Sequence, residues 1–365
     1  MNRNEKRTVP VVVAASVLAM WASSASATTV YTETNDAGGN AIQIFRTGTG
    51  GALTAVGKVS TGGLGTSAGL GNQGALALSD DGQWLFAVNA GSDDISAFAV
   101  AAAGAELVDR TTSGGTRPIS VTVHGNLLYV LNAGGTGNIA GFRIGANGHL
   151  TAIAGSSRPL SSATAGAAEL AFDNAGESLV VTEKATSRLD VYNVDRGRAL
   201  GPTVFSSHGM TPFGFAFDRR DTLLVSEAFG GSASASALSS YDLDEDEPTL
   251  NVIDGSAPTA QTAACWVIVA RQGRYAYTTN TGSGSVTGFR VERSGHLTRL
   301  SADGRSGITG GGPTDGAASP DGRALFVLSP SIGTIVSFQV RTDGSLQNLS
   351  SIQGVAGTAT GLVAW

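Results

Sequence analysis

The sequence predicts an all-β fold, a seven-bladed β-propeller of four-stranded antiparallel blades, and three observations lead there. One phrase recurs seven times at intervals near 49 residues, glycine is abundant at 51 of 365 residues, and no stretch beyond residue 27 has helical periodicity. Glycine at about twice its usual share suits many tight turns between buried strands, as do charged residues at only 14%.

Residues 1–27 read as a segment to be removed before folding. Arg3, Lys6 and Arg7 precede an uncharged, mostly apolar run from Val9 to Trp21, and Ala25-Ser26-Ala27 is a small-residue cleavage site. That is the pattern of a secretory signal peptide, and the apolar run is shorter than the roughly 20 residues a membrane-spanning helix needs. The expectation is an exported protein, periplasmic or secreted, with a single propeller domain over 28–365 and no membrane span after cleavage. Cleavage also removes three positive charges and one negative from a chain whose net charge is −6, so the remainder is more acidic and nucleic acid is not an expected partner. Cys265 is the only cysteine, so no intramolecular disulfide can form and stability must come from packing.

The repeated phrase is an apolar strand, an Asn or Glu, a Gly/Ser turn, and a second strand ending in an aromatic. It reads LFAVNAGSDDISAF (85–98), LLYVLNAGGTGNIAGF (127–142), LVVTEKATSRLDVY (179–192) and YAYTTNTGSGSVTGF (275–289). VYTETNDAGGNAIQIF (30–45) and ALFVLSPSIGTIVSF (324–338) are looser copies, and LLVSEAFGGSASASALSSY (223–241) carries an insertion. The closing aromatics, Phe45, Phe98, Phe142, Tyr192, Tyr241, Phe289 and Phe338, follow one another at steps of 44 to 53 residues.

A leading strand and a polar turn precede each unit except the first, as in ALALSDDGQ (75–83) and GFAFDRRD (214–221). The first unit lacks one, and TATGLVAW (358–365) is a spare strand at the other end. Three strands from the start and one from the end would then share a blade and close the ring, removing open sheet edges.

Two motif matches carry no function on this reading. Residues 65–69 fit G-x-S-x-G and residues 69–74 fit G-x-G-x-x-G, but both need a strand before and a helix after, and here a Gly-rich connection leads into a strand. The acidic run Asp242–Glu247 lacks the glycine and distal glutamate of a calcium loop and reads as a hairpin tip.

Propeller geometry places two rings of residues at one end of the central channel. The leading strands would contribute Ala75, Ser120, Glu169, Gly214, Trp266, Asp315 and Gly361. The ends of the next strands would contribute Asn35, Asn89, Asn132, Glu183, Glu227, Asn280 and Ser329. Asn commonly ends a strand by bonding turn amides, but Glu does not, so Glu169, Glu183 and Glu227 stand out as a converging cluster that needs a proton or a cation. Arg117, Arg158 and Lys184 are the candidate counter-charges, and Phe213 with Trp266 a candidate apolar wall. His208 precedes a leading strand, whereas His149 and His296 occupy matching hairpin turns and His124 a turn of its own. The candidate catalytic set is Glu169, Glu183, Glu227 and Arg117. The candidate binding set is Gln73, Asn89, Asn132, Lys184, His208, Phe213, Trp266, Asn280 and Asp315. No zinc-spaced His/Cys cluster exists, while carboxylates and amide oxygens would suit calcium or magnesium.

The stretches 69–98, 179–192, 211–231, 262–289 and 319–329 resemble the lactonase-type seven-bladed propellers, which include 6-phosphogluconolactonase-like and carboxymuconate-cyclizing proteins. YVLNAG (129–134) is also similar to the exported YVTN-repeat propellers. The resemblance implies hydrolysis or formation of a small lactone or sugar acid at the channel mouth, and a monomer is expected. Catalytic members begin a leading strand with Pro-x-His. None of the matching positions here is histidine, so Glu169, Glu183 and Arg117 would have to take the acid–base and oxyanion roles. A non-catalytic exported binding or envelope propeller is the alternative expectation.

Overall fold

A computed structural model of the chain describes residues 1, 27–102, 104–244 and 249–365. The expected signal peptide falls almost wholly on 2–26 and lies outside the described residues, as does part of the acidic run.

Apolar β-formers at the start of each repeat drive it into a buried strand, and the hydroxyl and glycine residues after it reverse the chain. The first full blade shows the pattern, with strands Leu76–Leu78, Trp84–Asn89, Asp94–Ala101 and Gly104–Thr112 paired antiparallel in sequence order. The turn after its leading strand is held by Asp81, whose Oδ1 accepts from Ser79 Oγ at 2.6 Å and from the Gln83 N–H at 3.0 Å. Asp321 repeats this with Ser319 and the Arg323 N–H. Gly82 and Gly322 supply the left-handed backbone, at φ 67° and 64°.

The other blades follow suit. Their leading strands are Pro118–His124, Ala167–Phe172, Pro212–Phe217, Ala264–Ala270, Asp315–Ala318 and Thr360–Ala364. Each touches the leading strands of the blades before and after it, and the last touches Leu76–Leu78, so the ring is closed. Closure takes the expected form: Thr360–Ala364 pairs with Thr29–Glu33, which continues into Ala41–Thr47 and Leu53–Ser60. In blades 3 and 6 the outer strand is broken in two, Leu150–Ala152 with Arg158–Pro159 and Leu297–Arg299 with Gly307–Ile308.

The seven aromatics that mark the repeat are all core, none more than 2% exposed. In blades 2 to 7 each pairs in register with the apolar residue four before the end of the preceding strand, as Phe98 with Leu85 and Tyr192 with Leu179. The apolar clusters span neighbouring blades, as where Tyr129 and Phe142 of blade 3 join Phe86 of blade 2 and Leu179 of blade 4. Burial of that surface between blades contributes about 25 cal/mol per Å² of apolar area, the term that holds a disulfide-free ring together.

One register expectation is corrected. By the aromatic pairing of Phe45 with Val30, the strand-end position of blade 1 is Thr34, not Asn35. Asn35 lies one residue further, at φ 50°, where its side chain fastens the 66–68 loop by accepting from the Thr66 N–H and donating to the Ala68 carbonyl.

Candidate functional site

The leading-strand ring keeps the expected register, opposite the penultimate residue of the next strand, as in Trp266 with Thr279 and Asp315 with Leu328, but not the expected place at the channel mouth. It lies deep in the molecule, because the Gly-rich connection between blades 1 and 2 folds over the channel and plugs it. Gln73 reaches across to blade 6, accepting from the Val267 N–H and donating to the Val267 carbonyl, both at 3.0 Å, with the Phe215 carbonyl of blade 5 at 3.4 Å. Its own N–H donates to Ala168 in blade 4. Asn72 donates to the Ile119 carbonyl of blade 3, accepts from Thr360 Oγ1 of blade 1, and offers its carbonyl to Trp266 Nε1 at 2.5 Å. Two residues thereby bond five blades, and Gly214 is required, since a Cβ there would lie 2.0 Å from Gln73 Oε1 and 2.6 Å from the Cys265 carbonyl.

Along the channel wall beside this plug is a cavity of about 270 Å³, lined by Gln73, Glu169 and Asp315 among apolar leading-strand residues such as Leu78, Val123 and Ala171. Glu169 is 5% and Asp315 3% exposed. Glu169 accepts from the Phe215 N–H at 2.5 Å and Asp315 from the Gly316 N–H at 2.7 Å. Burial holds the Glu169 carboxyl well above the usual range and pushes Asp315 up to about 8, and the nearby Asp315 charge raises Glu169 further. A larger recess, about 1390 Å³, lies at the closure around Thr28, Ala102 and Trp365 and is lined by none of these site residues.

Glu183 and Glu227 do not converge with Glu169, which corrects the expected three-glutamate cluster. A residue ending the second strand faces the turn and the third strand of its own blade, so its side chain becomes a clasp within that blade. Glu227 accepts from the Gly209 N–H (2.8 Å), Ser239 Oγ (2.5 Å) and Ser256 Oγ (2.6 Å). Glu183 accepts from the Ser161 N–H (3.1 Å) and Thr186 Oγ1 (2.5 Å). Asn89 clasps Asp94 and Ser96, Asn280 clasps Ser285 and Thr287, and Asn132 donates to the Ser113 carbonyl. His208 is also placed away from the channel, bonded through Nδ1 to Ser256 Oγ and packed where a Cβ on Gly255 would strike its ring. Arg158 spends its guanidinium on the Gly155 and Ser157 carbonyls. His149 and His296 face Asp109 and Asp254 of the preceding blades, each at 3.6 Å.

What the structure does bring together is the upper rim. Lys184, the residue after Glu183, lays its Nζ 4.6 Å from the Phe213 ring centroid and donates to the Ala167 and Gly71 carbonyls. Phe213 packs on Trp266 with centroids 5.1 Å apart. Arg117 is exposed at φ 53°, its N–H held by Asp93. Burial lowers the Lys184 ammonium to about 8; the Cys265 thiol favours its charge and the Arg117 guanidinium disfavours it. No carboxylate is among the groups acting on this amine.

The family profile described as "Lactonase, 7-bladed beta-propeller" matches residues 38–157 and 227–362, more than half of the chain. The chain belongs to that lactonase family. Among solved structures, a protein from Lactobacillus plantarum superposes with TM-score 0.75 at 19% identity, covering 93% of this chain and 99% of that one. A candidate 6-phosphogluconolactonase from Bacteroides fragilis gives TM-score 0.73 at 20% identity over 93% and 98%. A periplasmic gluconolactonase from Pseudomonas aeruginosa gives 0.70 at 16% identity over 91% and 97%. At these identities the likeness shows the fold. No curated protein sequence matches.

In this lactonase-family chain, sequence reasoning named Gln73 but missed that it acts with Asn72 as the plug, and it missed Asp190 and Glu33 as buried acids. Glu33 is fully buried and raised well above the ordinary range by that burial. The signal for the plug was present in the glycines of 69–74, which permit a chain to cross so tightly, but what they cross is a tertiary fact. Among the described residues no three His, Cys, Asp or Glu side chains are grouped to hold a metal ion. Chemically, the rim can receive an anion, whereas burial favours the protonated form of the acids in the channel, which offers proton donors there.

Proposed function

We propose that this lactonase-family propeller takes a small lactone or its open sugar acid at the upper rim of the channel, with Arg117 and Lys184 holding a carboxylate or developing oxyanion and Phe213 carrying the carbon face. The observation that supports this is a partly buried ammonium, Lys184, with no carboxylate among the groups acting on it and the Arg117 guanidinium as its charged neighbour, beside an aromatic face in a chain of net charge −6. Such a pair repels itself until an anion arrives, and a cation over an aromatic face is worth about 0.5–2 kcal/mol.

Thermal shift tests it. Open sugar acids or their lactones should raise the midpoint of the 28–365 protein, since a ligand that binds only the folded state stabilises it. Arg117→Ala and Lys184→Met should each weaken apparent affinity by about ten- to a hundredfold, as expected for a charged hydrogen bond of about 1.5–3 kcal/mol. No shift with any sugar acid or lactone defeats the reading.

A second reading, a binding or envelope propeller without turnover, is favoured by the engagement of the carboxylates: Glu183 and Glu227 are tied into clasps, and Glu169 lies in the channel beside the plug. Turnover of a lactone that disappears in Glu169→Gln would decide for hydrolysis. Export to the periplasm or beyond belongs to this proposal too, and N-terminal sequencing of the envelope and medium fractions would test it by locating the cleavage at Ala27.

A further inference from the structure

The clasp at the end of the second strand uses a hydroxyl partner in three blades. Ser96 meets Asn89 at 2.8 Å, Ser239 meets Glu227 at 2.5 Å and Thr287 meets Asn280 at 2.9 Å. Each partner sits two residues before the core aromatic of its strand, and in blade 4 that position is Asp190. Blade 4 therefore sets one carboxylic acid directly against another.

The details show too few donors for two carboxylates. Glu183 and Asp190 are both fully buried and close enough to hydrogen-bond each other. A single N–H, that of Ser161, is shared between Glu183 Oε1 at 3.1 Å and Asp190 Oδ2 at 2.8 Å. Thr186 Oγ1 serves the other Glu183 oxygen, while Asp190 Oδ1 has no hydrogen-bond partner among the described residues. Tyr192, on the same strand as Asp190, spends its hydroxyl on the Pro159 carbonyl at 2.9 Å and is 3.5 Å from Asp190. Arg188 pairs with Glu183 in backbone register but is exposed, Arg158 bonds carbonyls, and the outer strand places Val204 opposite Asp190. No cation is among the charges acting on Asp190. Two adjacent carboxyls without a counter-charge cannot both ionise cheaply, so one proton must stay.

We propose that Glu183 and Asp190 share one proton and form a pH-sensitive latch that fastens the 159–166 connection to blade 4 and loosens it when the proton leaves. The connection is tied at one end by Ser161 on the two acids and Pro159 on Tyr192. At the other end the Lys184 N–H donates to Gly166 and the Ala185 N–H to Ala165. The latch therefore adjoins the rim cation in sequence and in space. Burial, followed by the neighbouring Glu183 charge, pushes Asp190 up to about 7, which puts the release near neutrality.

Hydrogen exchange of the 160–166 amides between pH 6 and 9, corrected for the intrinsic pH dependence, tests the latch whatever ligand the rim takes. Protection should fall by up to about tenfold per pH unit above 7 in the unaltered protein. In Asp190→Ser, which installs the hydroxyl found at Ser96 and Ser239, that fall should vanish, and the hydroxyl-clasped blade 6 connection should show none in either protein. If Asp190→Ser does not fold, Asp190→Asn keeps the shape and removes the shared proton, with the same expectation. Infrared spectra should also lose one protonated-carboxyl band in the variant. Flat protection in the unaltered protein, or an unchanged fall in the variant, overturns the proposal.

Discussion

Asp315 shows what burial does to a single carboxyl. Its ordinary value of 3.8 is pushed up to about 8 in the folded protein, chiefly by burial. Because the folded state holds the proton more tightly than the unfolded chain, this group's stabilisation is complete below about 4 and is lost as pH rises towards 8, at up to about 1.4 kcal/mol per unit. Asp315→Asn, neutral at every pH, should flatten that decline and be the more stable protein at pH 8, as read by denaturant unfolding at several pH values. A variant less stable than its parent at pH 8 would mean that the carboxylate is matched there by an unseen cation, which bears directly on a calcium- or magnesium-bound channel.

Among elements, the connection over the channel has the largest consequences. A short run rich in small residues forms no strand of its own, yet Asn72 and Gln73 near its end bond to five blades. Gln73→Ala should destabilise by about 1–3 kcal/mol, because the Val267 N–H and carbonyl lose their buried partner. Gly214→Ala should cost a similar amount through a different cause, the clash of a new Cβ with Gln73 and the Cys265 carbonyl. The double variant should cost less than the sum, because both act on one contact. Strict additivity in chemical unfolding would show that the glycine serves something other than the plug.

For the whole molecule, the ring depends on its last strand. Thr360–Ala364 pairs with Thr29–Glu33 and touches the leading strands on either side, so its removal leaves an unpaired inner edge in blade 1 and breaks the ring between blades 7 and 2. Deleting 360–365 should lower the unfolding midpoint sharply and produce concentration-dependent light scattering, since an open hydrogen-bonding edge recruits other chains. A truncated protein that stays monodisperse with an unchanged midpoint would show that blade 1 holds on three strands.

Sequence by itself determined the architecture. Seven aromatics at a regular interval, each two strands into a repeat, can be buried only if every repeat becomes the same four-stranded sheet, and a strand missing at one end with a spare one at the other can be satisfied only by pairing the ends. Local pattern carries that information because side-chain alternation and turn chemistry are short-range. It also named both rings of residues except Thr34, in whose place it put Asn35, and Lys184, Phe213 and Trp266 with them, since position within a repeat fixes height in a blade. What only the tertiary structure decided is which way those side chains face and what they meet. Glu169 and Asp315 line one cavity in the channel, Glu183 meets Asp190 rather than Glu169, Glu227 is consumed by Ser239 and Ser256, and Asn72 and Gln73 close the channel from a connection that reads as spacer. Those outcomes depend on contacts between residues as far apart as 73 and 267, and the free energy of a buried carboxyl is set by such neighbours and by lost water, neither of which is written in its own repeat.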